Sequence, residues 1–471
     1  MMNRKKELAK NTLIISLGKF STQLIAFILL PIYTLYLTPA DYGLVDLIIT
    51  YVALLIPVVT IQMEMAAFRF LIDARENEAQ KKAVISNVLR IVLSLLTVIV
   101  AVCVGLAQFV HIPYFSLILI TIVATLFTNL FLQFARGLGD NKRFSIASVV
   151  MALATLAGGI GFVVYARDGG GGVLAALALA NVVASLYLFF SLKLYRYIDL
   201  RLGDRVLEKK LLGYSVPLVP NGLSWWAISV ADRTIISIML GLAANGIYAV
   251  SSRYAAVLSS MFFIFSMAFT EAASVHINAK DRDSFLSETN SASLKLFGAL
   301  GLLLIALCPF VFPWFIGPEF QAASQYVPIL IVAVFFNAVV GLYSAIYVAK
   351  KMTKQVMNTS IAAAVINIGL TLALIPLLGI YAAALATAVA FLAMAIFRHY
   401  DLRKLVQITY EKGLFLKVGA AYTVVIGLFY MGNIVAQLTA LVLAVGVALA
   451  WNKSIVVLAK DGVLARLRLA R

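Results

Sequence analysis

Leu13-Ile-Ile-Ser-Leu-Gly-Lys-Phe-Ser-Thr-Gln-Leu-Ile-Ala-Phe-Ile-Leu-Leu-Pro-Ile-Tyr-Thr-Leu-Tyr-Leu37 is an apolar run of twenty-five residues interrupted by a single charge, Lys19. As a helix it spans about 37 Å. That is enough to cross a bilayer with some tilt. An ammonium held at membrane depth costs about 2.5–3.5 kcal/mol on insertion scales. A chain that keeps one in its first span either hides it in a protein interior or uses it.

The pattern repeats to the end of the chain. Of 471 residues, 63% are hydrophobic and 13% charged, about half the charged content of a soluble domain. Breaks at charge runs and Gly/Pro clusters give about fourteen spans. Their cores are 12–37, 43–72, 84–110, 114–135, 145–166, 172–192, 211–240, 246–274, 291–316, 324–349, 355–377, 379–397, 414–431 and 434–452. The fold class is therefore all-α polytopic membrane protein. The net charge of +17 suggests nucleic acid at first sight. Most of the basic residues, however, sit in short polar breaks, where topology and anionic lipid account for them. No nucleic-acid partner is expected. Cys103 and Cys308 lie in apolar runs without redox or metal spacing, and His111, His276 and His399 are far apart. Neither a metal nor any other cofactor is expected.

Alternate connections are cationic. One set holds Arg4, Lys5, Lys6 and Lys10, then Arg75, Lys81 and Lys82, then Arg136, Lys142 and Arg143, and so on through Arg398–Lys417 to the tail Lys453–Arg471. The opposite set has almost no cation beyond Arg167. This split places both termini in the cytoplasm of a multi-pass membrane protein and supports an even number of spans. Lys295, close to a helix start, is read as snorkelling. The four glycines 169–172 read as a flexible external hairpin.

An internal repeat organises the spans. Leu37-Thr-Pro-Ala-Asp-Tyr-Gly-Leu44 can be laid on Leu240-Gly-Leu-Ala-Ala-Asn-Gly-Ile247, with an offset of 203 residues from Gly43 to Gly246. Six spans separate the copies, an even number, so both have the same orientation. The expected layout is a six-helix N-terminal lobe over 1–200 and a six-helix C-terminal lobe over 201–400, in a parallel pseudo-twofold repeat. Helices 13 and 14 and a basic cytoplasmic tail occupy 401–471.

Charges deep in the spans are few: Lys19, Asp46, Glu64, Arg69, Asp232, Arg233, Arg253 and Glu271. They fall in spans 1, 2, 7 and 8, which the repeat makes equivalent. Charges confined to matching helices point to a shared cleft. At about 1.5 Å per residue, Lys19 and Arg69 lie toward the cytoplasmic side and Arg233 and Arg253 toward the outer side. Lys19, Arg69, Arg233 and Arg253 are the candidate binding cations. Asp46, Glu64 and Asp232 are candidate ion-coupling carboxylates. Structural pairing is the competing reading. Asp232 and Arg233 are neighbours about 100° apart on a helix, and Glu64 and Arg69 are five apart, so neither is a well-spaced pair within one helix. Trp225, Trp226 and Asn221 are candidate sugar contacts, against a plain packing role. Pro217 and Pro220 should bend the start of span 7. No Walker A motif, no Ser/His/Asp or His/Cys constellation and no large external domain occurs, so the chain reads as no enzyme and has no catalytic residues.

The segments Asn11-Thr12-Leu13 through Gly18-Lys19, Leu30 through Gly43, and Asp232-Arg233 through Gly241, Gly246, Ile247 and Tyr248 resemble bacterial polysaccharide-repeat flippases. These belong to the multidrug/oligosaccharidyl-lipid/polysaccharide exporter superfamily. The resemblance implies a V-shaped pair of lobes around a cationic cavity. It implies as substrate an undecaprenyl-diphosphate-linked oligosaccharide repeat unit, turned to the outer leaflet by alternating access for surface polysaccharide assembly. It also implies Lys19 as the cavity cation of the first helix, with membrane lipid and the polysaccharide polymerase machinery as partners. A diphosphate needs counter-charge to cross hydrocarbon, which cations in the protein interior supply. Two rivals stand beside it: a cation-coupled multidrug exporter of the same fold, and a membrane-embedded glycan-modifying enzyme.

Overall fold

A computed structural model describes residues 18, 21–109, 113–199, 201, 203–350 and 352–453, with 220–229 and 353 described by backbone alone. Lys19 and the tail from 454 lie outside the described residues. The helices are α1 (Ser21–Tyr36), α2 (Pro39–Val59), α3 (Met63–Asp73), α4 (Glu78–Ala107), α5 (Phe115–Gly137), α6 (Asn141–Gly158), α7 (Gly169–Ser191), α8 (Arg205–Ser215), α9 (Val219–Met239), α10 (Leu242–His276), α11 (Arg282–Phe315), α12 (Val327–Ala349), α13 (Thr353–Leu378), α14 (Ile380–Leu402), α15 (Leu414–Met431) and α16 (Ile434–Trp451). Hydrocarbon offers backbone groups no partners, so a spanning segment must satisfy its own, and a helix does. Twelve described helices are long and apolar enough to cross a membrane. α1 and α9 stand where spans 1 and 7 are expected, and together these make up the polytopic, all-helical fold anticipated.

The tightest breaks have local causes. Gly379 adopts φ 58° between α13 and α14, and Gly432 adopts φ 73° before Asn433, whose side chain caps Ala436 N–H. Pro217 lies in a 3-10 turn, Val216–Leu218, that leads into α9. The glycines 169–172 are not a hairpin: they form the first turn of α7. Gly170, Gly171 and Gly172 are buried there, and a Cβ on Gly172 would meet the Phe162 carbonyl at 2.9 Å. The absent side chains let this end of α7 approach its neighbour.

The chain divides into two compact units, residues 1–237 with 241–246, and residues 238–240 with 247–471. In the first, a core of Met63, Ala66, Ala67, Leu71, Val88, Val92, Leu130 and Phe134 joins α3, α4 and α5. α8 seals its basic end through buried Leu211 and an ion pair between Arg90 and Glu208. Arg75 donates to the Gly137 and Arg136 carbonyls at the end of α5, a favourable place for a cation. In the second unit Lys295 does more than snorkel: it bonds Glu411 in the connection after α14 and holds that carboxyl below the usual range.

The repeat appears in the first unit as a reciprocal crossing. A Cβ on Gly43 would lie 1.9 Å from the Leu242 carbonyl oxygen, and one on Gly246 would lie 2.0 Å from the Pro39 carbonyl oxygen. Pro39 and Leu242 are themselves related by the 203-residue offset. The starts of α2 and α10 therefore touch backbone to backbone with twofold reciprocity, and Asn245 Nδ2 donates 2.8 Å to the Gly43 carbonyl. Close crossings through small residues are a common way for membrane helices to associate without a hydrophobic driving force.

Candidate functional site

The second span is not one helix. Pro57 lacks an N–H and its ring opposes the preceding turn. α2 ends at Val59, Ile61 and Gln62 take φ values of 50° and 55°, and α3 restarts at Met63. A β-branched residue in the left-handed region is strained. The break nevertheless leaves no backbone donor stranded: Ile61, Gln62 and Met63 N–H donate to the carbonyls of Val58, Pro57 and Thr60. Glu64, 8% exposed, sits in the first turn of α3, where helix polarity favours an acid. Thr60 Oγ1 lies 2.5 Å from Glu64 Oε2 and donates 2.9 Å to the Ile56 carbonyl.

Asp46 and Arg233 meet between α2 and α9. Asp46 is 3% exposed, and Arg233 Nη1 donates 2.7 Å to each of its carboxylate oxygens and 3.2 Å to Thr50 Oγ1. Seven residues from the start of α2 and six from the end of α9, the pair lies about 10 Å below the ends of both helices. Next to it Tyr51 Oη and Thr234 Oγ1 are 3.1 Å apart. Only Nη1 is engaged: among the described residues no hydrogen bond is made by Arg233 Nε or Nη2. The guanidinium thus neutralises a buried carboxylate and keeps part of its donor fork open.

The other expected site residues fare differently. Arg69, on α3, pairs with Asp73 one turn on at 2.6 Å, with both side chains about half exposed or more. Glu64 and Arg69 do not pair. Asp232 is buried. Arg253 is part-buried on α10. Asn221, Trp225 and Trp226 lie in α9, and only their backbone is described. Lys19 is outside the described residues. Among the described residues no group of His, Cys, Asp or Glu gathers as a metal site. Sequence reasoning missed Thr50, Thr60, Tyr51 and Thr234. Spacing was an available signal for Thr50 alone: it lies one turn after Asp46 on α2, on the face that meets Arg233, whereas Thr60 reaches Glu64 across the break between α2 and α3.

Arg398 was placed in a basic loop by its sequence. It instead lies inside α14, 1% exposed. Its guanidinium donates to Ser344 Oγ and the Val340 carbonyl of α12, and to Thr359 Oγ1, Ser360 Oγ and the Val356 carbonyl of α13. One side chain fastens three helices.

Structural neighbours share this helical architecture. The structure described as lipid II flippase MurJ in an inward closed conformation superposes with a TM-score of 0.67 at 15% identity, over 96% of this chain and 100% of that one. An inward-facing multidrug resistance MATE family transporter of the MOP superfamily superposes with a TM-score of 0.68 at 14% identity, over 81% of this chain and 95% of that one. Its outward-facing counterpart reaches 0.59 at 16% identity. At such identities the likeness is one of fold. No curated protein matches by sequence. A family model described as "Polysaccharide biosynthesis protein" matches residues 8–270, more than half of the chain. The span pattern, the intramembrane charges and this match converge: the chain belongs to the polysaccharide biosynthesis protein family and has the fold of the MOP exporter superfamily.

Proposed function

We propose that this protein is a flippase that carries an undecaprenyl-diphosphate-linked oligosaccharide repeat unit from the cytoplasmic to the outer leaflet of the bacterial inner membrane. Family membership carries the reading. The MurJ neighbour, a lipid II flippase by its description, supports a lipid-linked sugar as cargo. The termini are cytoplasmic, as the loop cations require, and the flipped unit is handed to the polymerase machinery.

The charges give the path its chemistry. Lys19 and Arg69 take the diphosphate from the cytoplasmic side, and Arg253 and the open fork of Arg233 hold it nearer the outside. The Asp46–Arg233 pair is an outer clasp: a diphosphate that competes for the guanidinium releases α2 from α9 and so couples cargo to opening. Glu64 is better suited than Asp46 to carry the coupling ion, because Asp46 is committed to Arg233. Thr60 Oγ1 contacts both the Ile56 carbonyl and the Glu64 carboxylate, so a proton carried by Glu64 would change how that single hydroxyl proton is shared. Proton entry and departure at Glu64 would shift that sharing at the helix break. Asn221, Trp225 and Trp226 on α9 are the proposed sugar contacts.

The test is complementation of a flippase-null strain at matched membrane levels. Lys19→Ala and Arg253→Ala should each remove most surface polysaccharide; normal polysaccharide from both would overturn the cation path. The likeness to MATE transporters favours one second reading, a cation-coupled multidrug exporter. It predicts drug susceptibility that follows expression with no polysaccharide phenotype. Arg69 separates folding from binding. Its pair with Asp73 is exposed, and exposed pairs add little stability, so Arg69→Ala should leave the melting temperature close to that of the parent while polysaccharide export falls. A large drop in melting temperature would mark Arg69 as structural.

A further inference from the structure

We propose that the groove between α13 and α14 is a binding site for a zwitterionic aminophospholipid of the ethanolamine class. The groove holds about 430 Å³ in the second unit, and none of the residues assigned to the flipping path lines it. Ala362, Ile366, Ala393 and Met394 line its apolar length, and its mouth is polar, with Gln355, Asn358 and Asp401. Apolar length below a polar mouth is the profile of an acyl chain below a headgroup. The lysine-bearing connections around 350–354 and 403–417 leave from the mouth end, so the headgroup would sit in the cytoplasmic leaflet.

Charge selects the headgroup. Arg398 lies behind Thr359, a residue of the groove wall, and donates to it from Nε and Nη2. All its hydrogen-bond acceptors are neutral, and among the described residues no carboxylate lies within ion-pair distance of it. A buried cation without a counter-ion projects a positive field into the mouth. The side-chain amides of Gln355 and Asn358 have no hydrogen-bond partner among the described residues and can donate to a phosphate there. Asp401, one turn from Arg398, accepts from Tyr347 Oη at 2.7 Å and meets only the exposed Lys404, at 3.8 Å. The mouth therefore offers positive charge for a phosphate and a carboxylate for an ammonium. A diphosphate or a phosphatidylglycerol would satisfy the first and be repelled by the second.

The experiment is native mass spectrometry of the purified full chain titrated with phosphatidylethanolamine, phosphatidylglycerol and undecaprenyl phosphate. Phosphatidylethanolamine should be retained about fivefold or more over both others. Ala362→Trp, on an exposed wall of the groove, should cut that retention about fivefold without changing the melting temperature. Asp401→Asn keeps an acceptor for Tyr347 and should abolish the preference for ethanolamine over glycerol. Equal or tighter retention of phosphatidylglycerol or undecaprenyl phosphate overturns the proposal, as does retention indifferent to Ala362→Trp. Neither result bears on the flippase reading, whose residues lie elsewhere.

Discussion

Asp46→Ala and Arg233→Ala should each destabilise the protein by about 3–5 kcal/mol, because each leaves its partner as an uncompensated charge in a low-dielectric interior. Asp46 is 3% exposed and Arg233 spends its Nη1 entirely on Asp46 and Thr50. Thermal unfolding of purified protein and its yield in membranes would report the loss. The double variant Asp46→Asn/Arg233→Gln removes both charges and should recover most of the stability, since neutral replacements of buried ion pairs often cost little. It should not recover export. If the pair is the outer clasp opened by the diphosphate, a stable protein without the charges exports poorly. Full export from the neutral double variant would make the pair purely structural. Single variants as stable as the parent would show that water reaches the pair freely.

Gly43→Val and Gly246→Val should each abolish accumulation of folded protein. A Cβ at these positions would sit 1.9 and 2.0 Å from a carbonyl oxygen of the facing helix, and a backbone atom has no rotamer by which to escape. The helices must separate, and a cost of about 3 kcal/mol or more is expected from overpacking at such a contact. The Asn245 hydrogen bond to the Gly43 carbonyl is lost with it. Alanine should already be damaging. The reciprocity of the crossing makes a sharper expectation: Gly43→Ala and Gly246→Ala should cost similar amounts, and together less than their sum, because the separation forced by one methyl accommodates the other. Gly105→Ala, where nothing lies within 4 Å of the added carbon, is the control and should be neutral. Detergent-solubilised melting curves for the four variants suffice. Additive losses would mean that the two glycines act at independent contacts.

Much of the molecule was legible from local chemistry. The spans follow from runs of apolar residues, because a bilayer filters each segment by its own length and polarity, but the break in the second span after Val59 and the start of α11 at Arg282 do not. The tight breaks between the spans ending at 377 and 431 and their successors fall at Gly379 and Gly432, because few other residues take positive φ cheaply. The repeat was readable because Gly43 and Gly246 each serve one side of the same crossing, and the charge list was readable because hydrocarbon makes ionised groups rare. Where sequence reasoning erred, a distant partner was the reason. The glycines 169–172 looked flexible alone, yet they form the start of α7, where a Cβ on Gly170 would meet Val45 of α2, one on Gly171 would meet Tyr114 and one on Gly172 would meet Phe162. Arg398 looked like a loop cation, yet acceptors on α12 and α13 draw it inside.

The sequence by itself thus determined that this is an all-helical membrane protein with an internal repeat, with charges concentrated on four of its spans. Only the tertiary structure decided which groups several of those charges meet. Asp46 is matched to Arg233, 187 residues away, Arg69 turns to Asp73, and Glu64 rests on a hydroxyl at a break in its own span. Hydropathy is a property of one segment and can be read from it. An ion pair is a property of two segments brought together, and the choice among several plausible partners rests on which side chains the packed helices hold within a few ångströms of each other.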